Sequence, residues 1–152
     1  MTEIRLYRAV QSSLDQVLPS ILAKAAARGQ RIVVLLPDKA SVERYNELLW
    51  TYQADSFLPH GSAKDGHADQ QPIWLTDQEE NPNGAEILVT LRAENESIPA
   101  FAGGFALCCD LVDGRIEQET MAARKRWVAY KAQGHEMTYW LQTEQGWEKQ
   151  DI

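Results

Sequence analysis

Arg124, Lys125, Arg126 and Lys131 place four cations and no acid within eight residues, and Trp127 and Tyr130 lie among them. Part of that charge is ordinary helix electrostatics, because cations near a helix C-terminus complement the macrodipole. The same residue types also suit recognition: a guanidinium fork beside an aromatic wall fits an acidic, apolar peptide or its terminal carboxylate. On a helical wheel Ile116, Ala123, Trp127 and Tyr130 form one apolar stripe, with Arg124 and Lys131 on its rim. Trp50 is the second candidate, pointing about 145° away from a helix face centred between Tyr45 and Leu49. Either Phe57, Leu58 and Pro59 fold back over the indole, or they join it in an exposed anchor for a protein partner, where Trp is enriched.

His60 and His67 share one segment with Asp65 and Asp69, a combination able to move protons or hold a metal. No spacing fixes their geometry, so solvated or turn-capping histidines are the simpler reading. A small α/β hydrolase or nucleotide-dependent enzyme using His60 and His67 stands as the alternative function. The adjacent Cys108 and Cys109 would point to opposite faces of a strand, which leaves no room for an ordinary disulfide and makes them buried free thiols. They have no C-x-x-C spacing and no neighbouring His, so neither a zinc site nor a thiol nucleophile is expected. Ala9-Val10-Gln11-Ser12 has no glycine and no G-x-x-x-x-G-K-[ST] loop occurs, so a pyrophosphate has no cradle and no cofactor is expected.

Glu3 to Arg8 alternates polar and apolar residues, the pattern of a half-buried strand at or near a sheet edge. Ser12 or Ser13 caps a helix whose stripe is Leu14, Val17, Leu18, Ile21, Leu22 and Ala25. Gly29 closes it, and Pro19 implies a kink or a separate first turn. Arg31 to Leu36 is an unbroken apolar run ended by Pro37, as in a parallel strand buried on both faces. Asp38 caps a second helix carrying Val42, Tyr45, Leu48, Leu49 and Tyr52 on one face. Residues 53 to 72 read as a long loop. Strands follow at 72–75, 86–91 and 106–112, with glycines between Phe101 and Phe105 bringing the chain round. A third helix runs from about Gly114 to Gln133, ending at Gly134, and the tail from Glu136 adds a last short strand. This order predicts an α/β domain with a mostly parallel central sheet and helices on its faces.

With 152 residues the chain suits one domain, 1–152. Its net charge of −7, from 22 acids and 15 bases, repels phosphate backbones and argues against broad nucleic-acid binding. Direct single-strand binding by Trp127, Tyr130 and the basic residues has the right residue types but the wrong overall charge. No basic-then-apolar leader and no apolar run near 18 residues is present, so a cytoplasmic protein with no membrane contact is expected.

Two stretches together resemble a known family. Leu49-Trp50 followed by Ser56-Phe57-Leu58-Pro59-His60, and Leu111-Val112-Asp113-Gly114 followed by Ala123 to Gly134, are similar to the chi subunit of bacterial DNA polymerase III holoenzyme. The likeness extends to the opening strand, the helix ending in Arg28-Gly29, the Arg31–Leu36 strand and Ile87 to Arg92. The resemblance implies a Rossmann-like three-layer fold and a non-catalytic replication protein. Such a protein joins the clamp loader, in many bacteria through the psi subunit, and grips the acidic, phenylalanine-ending C-terminal tail of single-stranded DNA-binding protein. DNA is then met only indirectly. By the same resemblance Arg124 meets the tail's carboxylate and Trp127 packs beside it, while Trp50, Phe57, Pro59 and His60 form the surface toward psi, another clamp-loader component or a helicase. Thr120 stands one turn before Arg124, where some relatives place a lysine. Lys125 and Lys131 are the cations able to compensate.

Overall fold

The computed structural model describes residues 2–51, 58–91 and 96–151. Strand β1 (Glu3–Ala9) leads into helix α1 (Leu14–Ala27), which runs without interruption through the buried Pro19, so no separate first turn forms. Ser13 stands at the helix start in extended conformation without a side-chain cap. The amide oxygen of Gln142 instead accepts the backbone N–H groups of Val10, Gln11 and Ser12, at 3.1, 2.9 and 3.1 Å. At the other end Gly29 adopts φ 72°, a left-handed conformation that costs glycine little. Its N–H reaches Ala26 and that of Gln30 reaches Ala25, the paired bonds of a Schellman stop.

Strand β2 (Ile32–Leu35) is buried throughout. Helix α2 (Lys39–Thr51) starts where Asp38 Oδ1 accepts the Ser41 N–H at 2.8 Å, and it buries Val42, Tyr45 and Leu49. Tyr52 and residues 53–57 lie outside the described residues. The segment read as a loop contains a three-residue strand, β3 (His60–Ser62), and a 3-10 turn at Ala68–Gln70. Three residues without apolar alternation give no strand signal. Strands β4 (Ile73–Thr76) and β5 (Ile87–Leu91) fall where expected. The glycine-containing connection holds a short helix, α3 (Ile98–Phe101), and a 3-10 turn before β6 (Leu107–Asp113). Helix α4 (Glu117–Ala132) follows, and Gly134 again supplies positive φ. The tail forms two strands rather than one, β7 (Glu136–Thr143) and β8 (Gly146–Gln150).

The strands make an eight-stranded sheet in the order β3-β4-β2-β5-β6-β1-β7-β8, parallel except for the final β7–β8 hairpin. Alternate residues of each strand feed two cores. Ile32, Val34, Val89, Cys109 and Leu111 meet α1 and α2 on one face, while Val33, Leu88, Cys108 and Val112 meet α3 and α4 on the other. The two cysteines thus sit back to back as buried free thiols, and desolvation pushes the Cys109 thiol up to about 12. Among the described residues no helix is long and apolar enough to cross a membrane.

β1 is not an edge strand: it pairs in parallel with β6 and with β7. Its alternation records a face that is only partly covered. A cleft of about 270 Å³ opens there, with Arg5 and Tyr7 on its floor, Lys24 of α1 on one side and Trp140 and Trp147 of the hairpin on the other. Tyr7 stacks on Trp140 at 6.1 Å and meets Trp147 edge-on at 5.0 Å, which docks the hairpin.

Candidate functional site

Strand β6 passes into α4 through Gly114, whose N–H bonds Ala9 at 2.7 Å, and through an Arg115–Asp113 ion pair at 3.1 Å. Glu117 and Glu119 in the first turn and Lys131 in the last complement the helix dipole. Ile116, read as part of the apolar stripe, is exposed at the position before the helix. The basic run is divided by the packing. Arg126 turns inward: its Nε donates to Asp110 Oδ2 at 2.8 Å and Nη2 to Oδ1 at 2.9 Å, while the Tyr130 hydroxyl donates to Oδ2 at 2.8 Å. Asp110 and Tyr130 are fully buried and Arg126 nearly so. Burial works against the guanidinium charge, yet the adjacent carboxylate outweighs it and raises the Arg126 pKa. Burial, and then the Asp110 charge, keep the Tyr130 phenol protonated far above its ordinary range. Arg126 is therefore a structural cation rather than part of a solvated basic face, and Tyr130 is not available to stack on a base.

Arg124, two residues earlier, faces outward, and among the described residues it has no hydrogen-bond or ion-pair partner. It lines a cleft of about 390 Å³ between α4 and the sheet. The helix contributes Thr120, Ala123, Arg124, Trp127 and Val128, and the sheet contributes Leu6 and Arg8 from β1, Val112 from β6 and Tyr139 from β7. Trp127 and Tyr139 meet edge to face at 6.3 Å and 75°, and Val128 leaves 68% of its surface open. The Thr120 hydroxyl donates to the Ile116 carbonyl at 3.3 Å. Lys131 is exposed but does not line the cleft. Of the four residues that sequence reading groups at this site, the structure places Arg124, Trp127 and Thr120 in one cleft and Lys131 outside it, and it adds Arg8, Leu6, Val112, Val128 and Tyr139, which that reading missed. Parity puts Leu6 and Arg8 on one face of β1, but only the strand order sets that face against α4.

At the far edge of the sheet Trp50 is 49% exposed, and its ring lies 4.3 Å from that of His60. Leu58 enters the core and Pro59 is exposed, so these two do not seal the indole; Phe57 lies outside the described residues. His60 is buried, with Nδ1 2.6 Å from the Leu58 carbonyl and Nε2 3.0 Å from that of Asn46. Both ring nitrogens are thereby occupied by backbone, which removes His60 as an acid or base toward a substrate. His67 is exposed at a left-handed turn, and Asp65 binds the N–H and hydroxyl of Ser62 at 3.0 and 3.2 Å. Among the described residues no group of three His, Cys, Asp or Glu side chains is placed to hold a metal.

Comparison with known proteins places the chain in one family. Residues 1–138 match the family described as DNA polymerase III chi subunit, HolC. A probable DNA polymerase III subunit chi of Rickettsia prowazekii is 32% identical over 91 residues, 60% of this chain and 55% of that relative, so the chain matches about half of its length. The DNA polymerase III subunit chi of Escherichia coli is 29% identical over 124 residues, covering 81% of this chain and 82% of the relative. That of Pseudomonas aeruginosa is 26% identical over 140 residues, 89% and 93% of the two chains. With the match running from β1 through α4 and into β7, this chain belongs to the chi subunit family of DNA polymerase III, an accessory subunit of the replicative polymerase.

Proposed function

We propose that the chain is a non-catalytic, cytoplasmic linker acting as one chi-like domain over residues 1–152. One surface joins the clamp loader, and the other holds the C-terminal tail of single-stranded DNA-binding protein. The observation that carries this reading is the open, apolar-walled cleft beside Arg124, which has no partner among the described residues. An arginine fork at the mouth suits a terminal carboxylate, and Trp127, Ala123 and Val112 suit the apolar side chain attached to it. DNA is reached only through the tail-bearing protein, and no cofactor is needed. Trp50, with Pro59 and the supporting His60, and Phe57 by its motif, makes the surface for psi or another clamp-loader component. Each contact can be modest, because tethering to many tails raises effective concentration.

Calorimetric titration with a synthetic acidic peptide ending in Pro-Phe, beside the same peptide lacking its last residue, tests the tail site. Micromolar-range binding that requires the terminal phenylalanine and weakens with added salt is expected. The absence of heat with either peptide overturns the assignment.

A further inference from the structure

Arg8 is the unexplained residue of the cleft. Arg5, Arg44, Arg115 and Arg126 each pair with a carboxylate, on Glu3, Asp15, Asp113 and Asp110 respectively. Among the described residues Arg8 has no such partner. Its Nη1 reaches only the Tyr139 hydroxyl, at a long 3.4 Å, and its Nε is shielded from solvent with no acceptor among those residues. A shielded donor on a charged group that lacks an acceptor is costly, and in a native fold it calls for an explanation, a bound ion or water among them.

The side chain is also held in place. Gly114 lies against its stem, and a Cβ at that position would fall 2.7 Å from Arg8 Cγ and 2.8 Å from Nε. Parallel pairing sets Arg8 beside Val112, and Leu6 beside Tyr139, so Arg8 lines the cleft from the sheet while Arg124 lines it from the helix. Leu6, Ala123 and Trp127 supply apolar wall between the two elements. A fixed cation of this kind needs little reordering when an anion arrives.

We infer that Arg8 is a second carboxylate-binding residue of this cleft, receiving an acidic side chain that precedes the terminal residue of the bound peptide. The inference rests on the reading of the cleft as a tail site. With the terminal carboxylate assigned to Arg124, the remaining anions of an acidic tail are its Asp or Glu side chains, and Arg8 is the cation on the sheet side placed to meet one.

The test titrates the full chain, Arg8→Met and Arg8→Lys with three peptides: an acidic one ending in Pro-Phe, its Asp→Asn version, and its C-terminal amide. For the wild type, the Asp→Asn peptide binds about tenfold more weakly, in keeping with a charge-assisted hydrogen bond. Arg8→Met loses about the same factor for the acidic peptide, binds the Asn peptide as the wild type does, and remains as sensitive to amidation. Arg8→Lys, which keeps the charge without the fork, falls between and still distinguishes Asp from Asn; it carries the test if the Met variant does not fold. Unchanged affinity in Arg8→Met and Arg8→Lys, or an equal loss for acidic and Asn peptides, overturns the inference while leaving an Arg124-dependent tail site intact. Loss of sensitivity to amidation in Arg8→Met also overturns it, by moving Arg8 onto the terminal carboxylate. If the wild type binds none of the peptides, the tail site itself falls and this inference with it.

Discussion

The inner and outer faces of α4 use the same residue type for opposite ends. On the inner face Arg126 meets Asp110 through two hydrogen bonds, Tyr130 closes the group, and the charges are shut away from water. On the outer face Arg124 ends in an open cleft with no acid beside it among the described residues, and Arg8 stands in the same cleft with a donor unused. A run of cations in a sequence is therefore not one feature. What separates a structural arginine from one left open to a partner is whether the fold supplies its counter-ion, and Asp110 supplies one to Arg126.

Breaking the inner face gives the largest expected effect. Arg126→Met leaves the Asp110 carboxylate buried without its cation, which costs about 3–5 kcal/mol of stability. Urea unfolding would show it as a lower midpoint with a preserved slope. The double variant Asp110→Leu with Arg126→Met sharpens the point, because replacing both charges by apolar groups of similar size restores most of the loss. An Arg126→Met chain as stable as the wild type would mean that the inner group carries no such weight, and the division of the helix would lose its basis.

The outer face should respond the other way. Arg124→Ala removes an exposed side chain with no partner among the described residues, so unfolding should shift by no more than about 0.5 kcal/mol. Affinity for an acidic Pro-Phe peptide should fall at least tenfold, or by about 1.4 kcal/mol or more, as expected when a charged hydrogen-bond donor is lost. Equal peptide affinity in variant and wild type would remove Arg124 from the site. A stability loss comparable to that of Arg126→Met would show instead that both faces are structural.

This contrast also marks what could be read from residues alone. The repeating elements were legible: the stripe of α1 with its Gly29 stop, the buried β2 run, the Asp38 cap and the long basic helix all follow from local periodicity and end signals. Arg124, Trp127 and Thr120 share a cleft because helical spacing alone places them together. Arg8, Val112 and Tyr139 join them only through the strand order β6-β1-β7, a long-range pairing that no local pattern encodes. The burial of Arg126 was illegible for the same reason, since it depends on Asp110 standing under the helix. The alternation in β1 misled because a partly open cleft leaves the same trace as a sheet edge.

The mildest perturbation lies at the opposite edge of the sheet, and it tests whether the two surfaces are independent. Trp50 is half exposed and rests on His60, which the Leu58 and Asn46 carbonyls hold in place, so Trp50→Ala removes the His60 ring contact and, among the described residues, little core. The stability change should be on the order of 1 kcal/mol. Peptide affinity at the α4 cleft should not change, because that cleft is lined by β1, β6, β7 and α4, whereas β3 lies at the other end of the sheet. Co-purification with the clamp loader, by contrast, should be lost if the indole anchors that partner. A fall of several kcal/mol would place Trp50 in the structural class with Arg126. Loss of peptide binding in a stably folded Trp50→Ala chain would show the two surfaces to be coupled through the sheet.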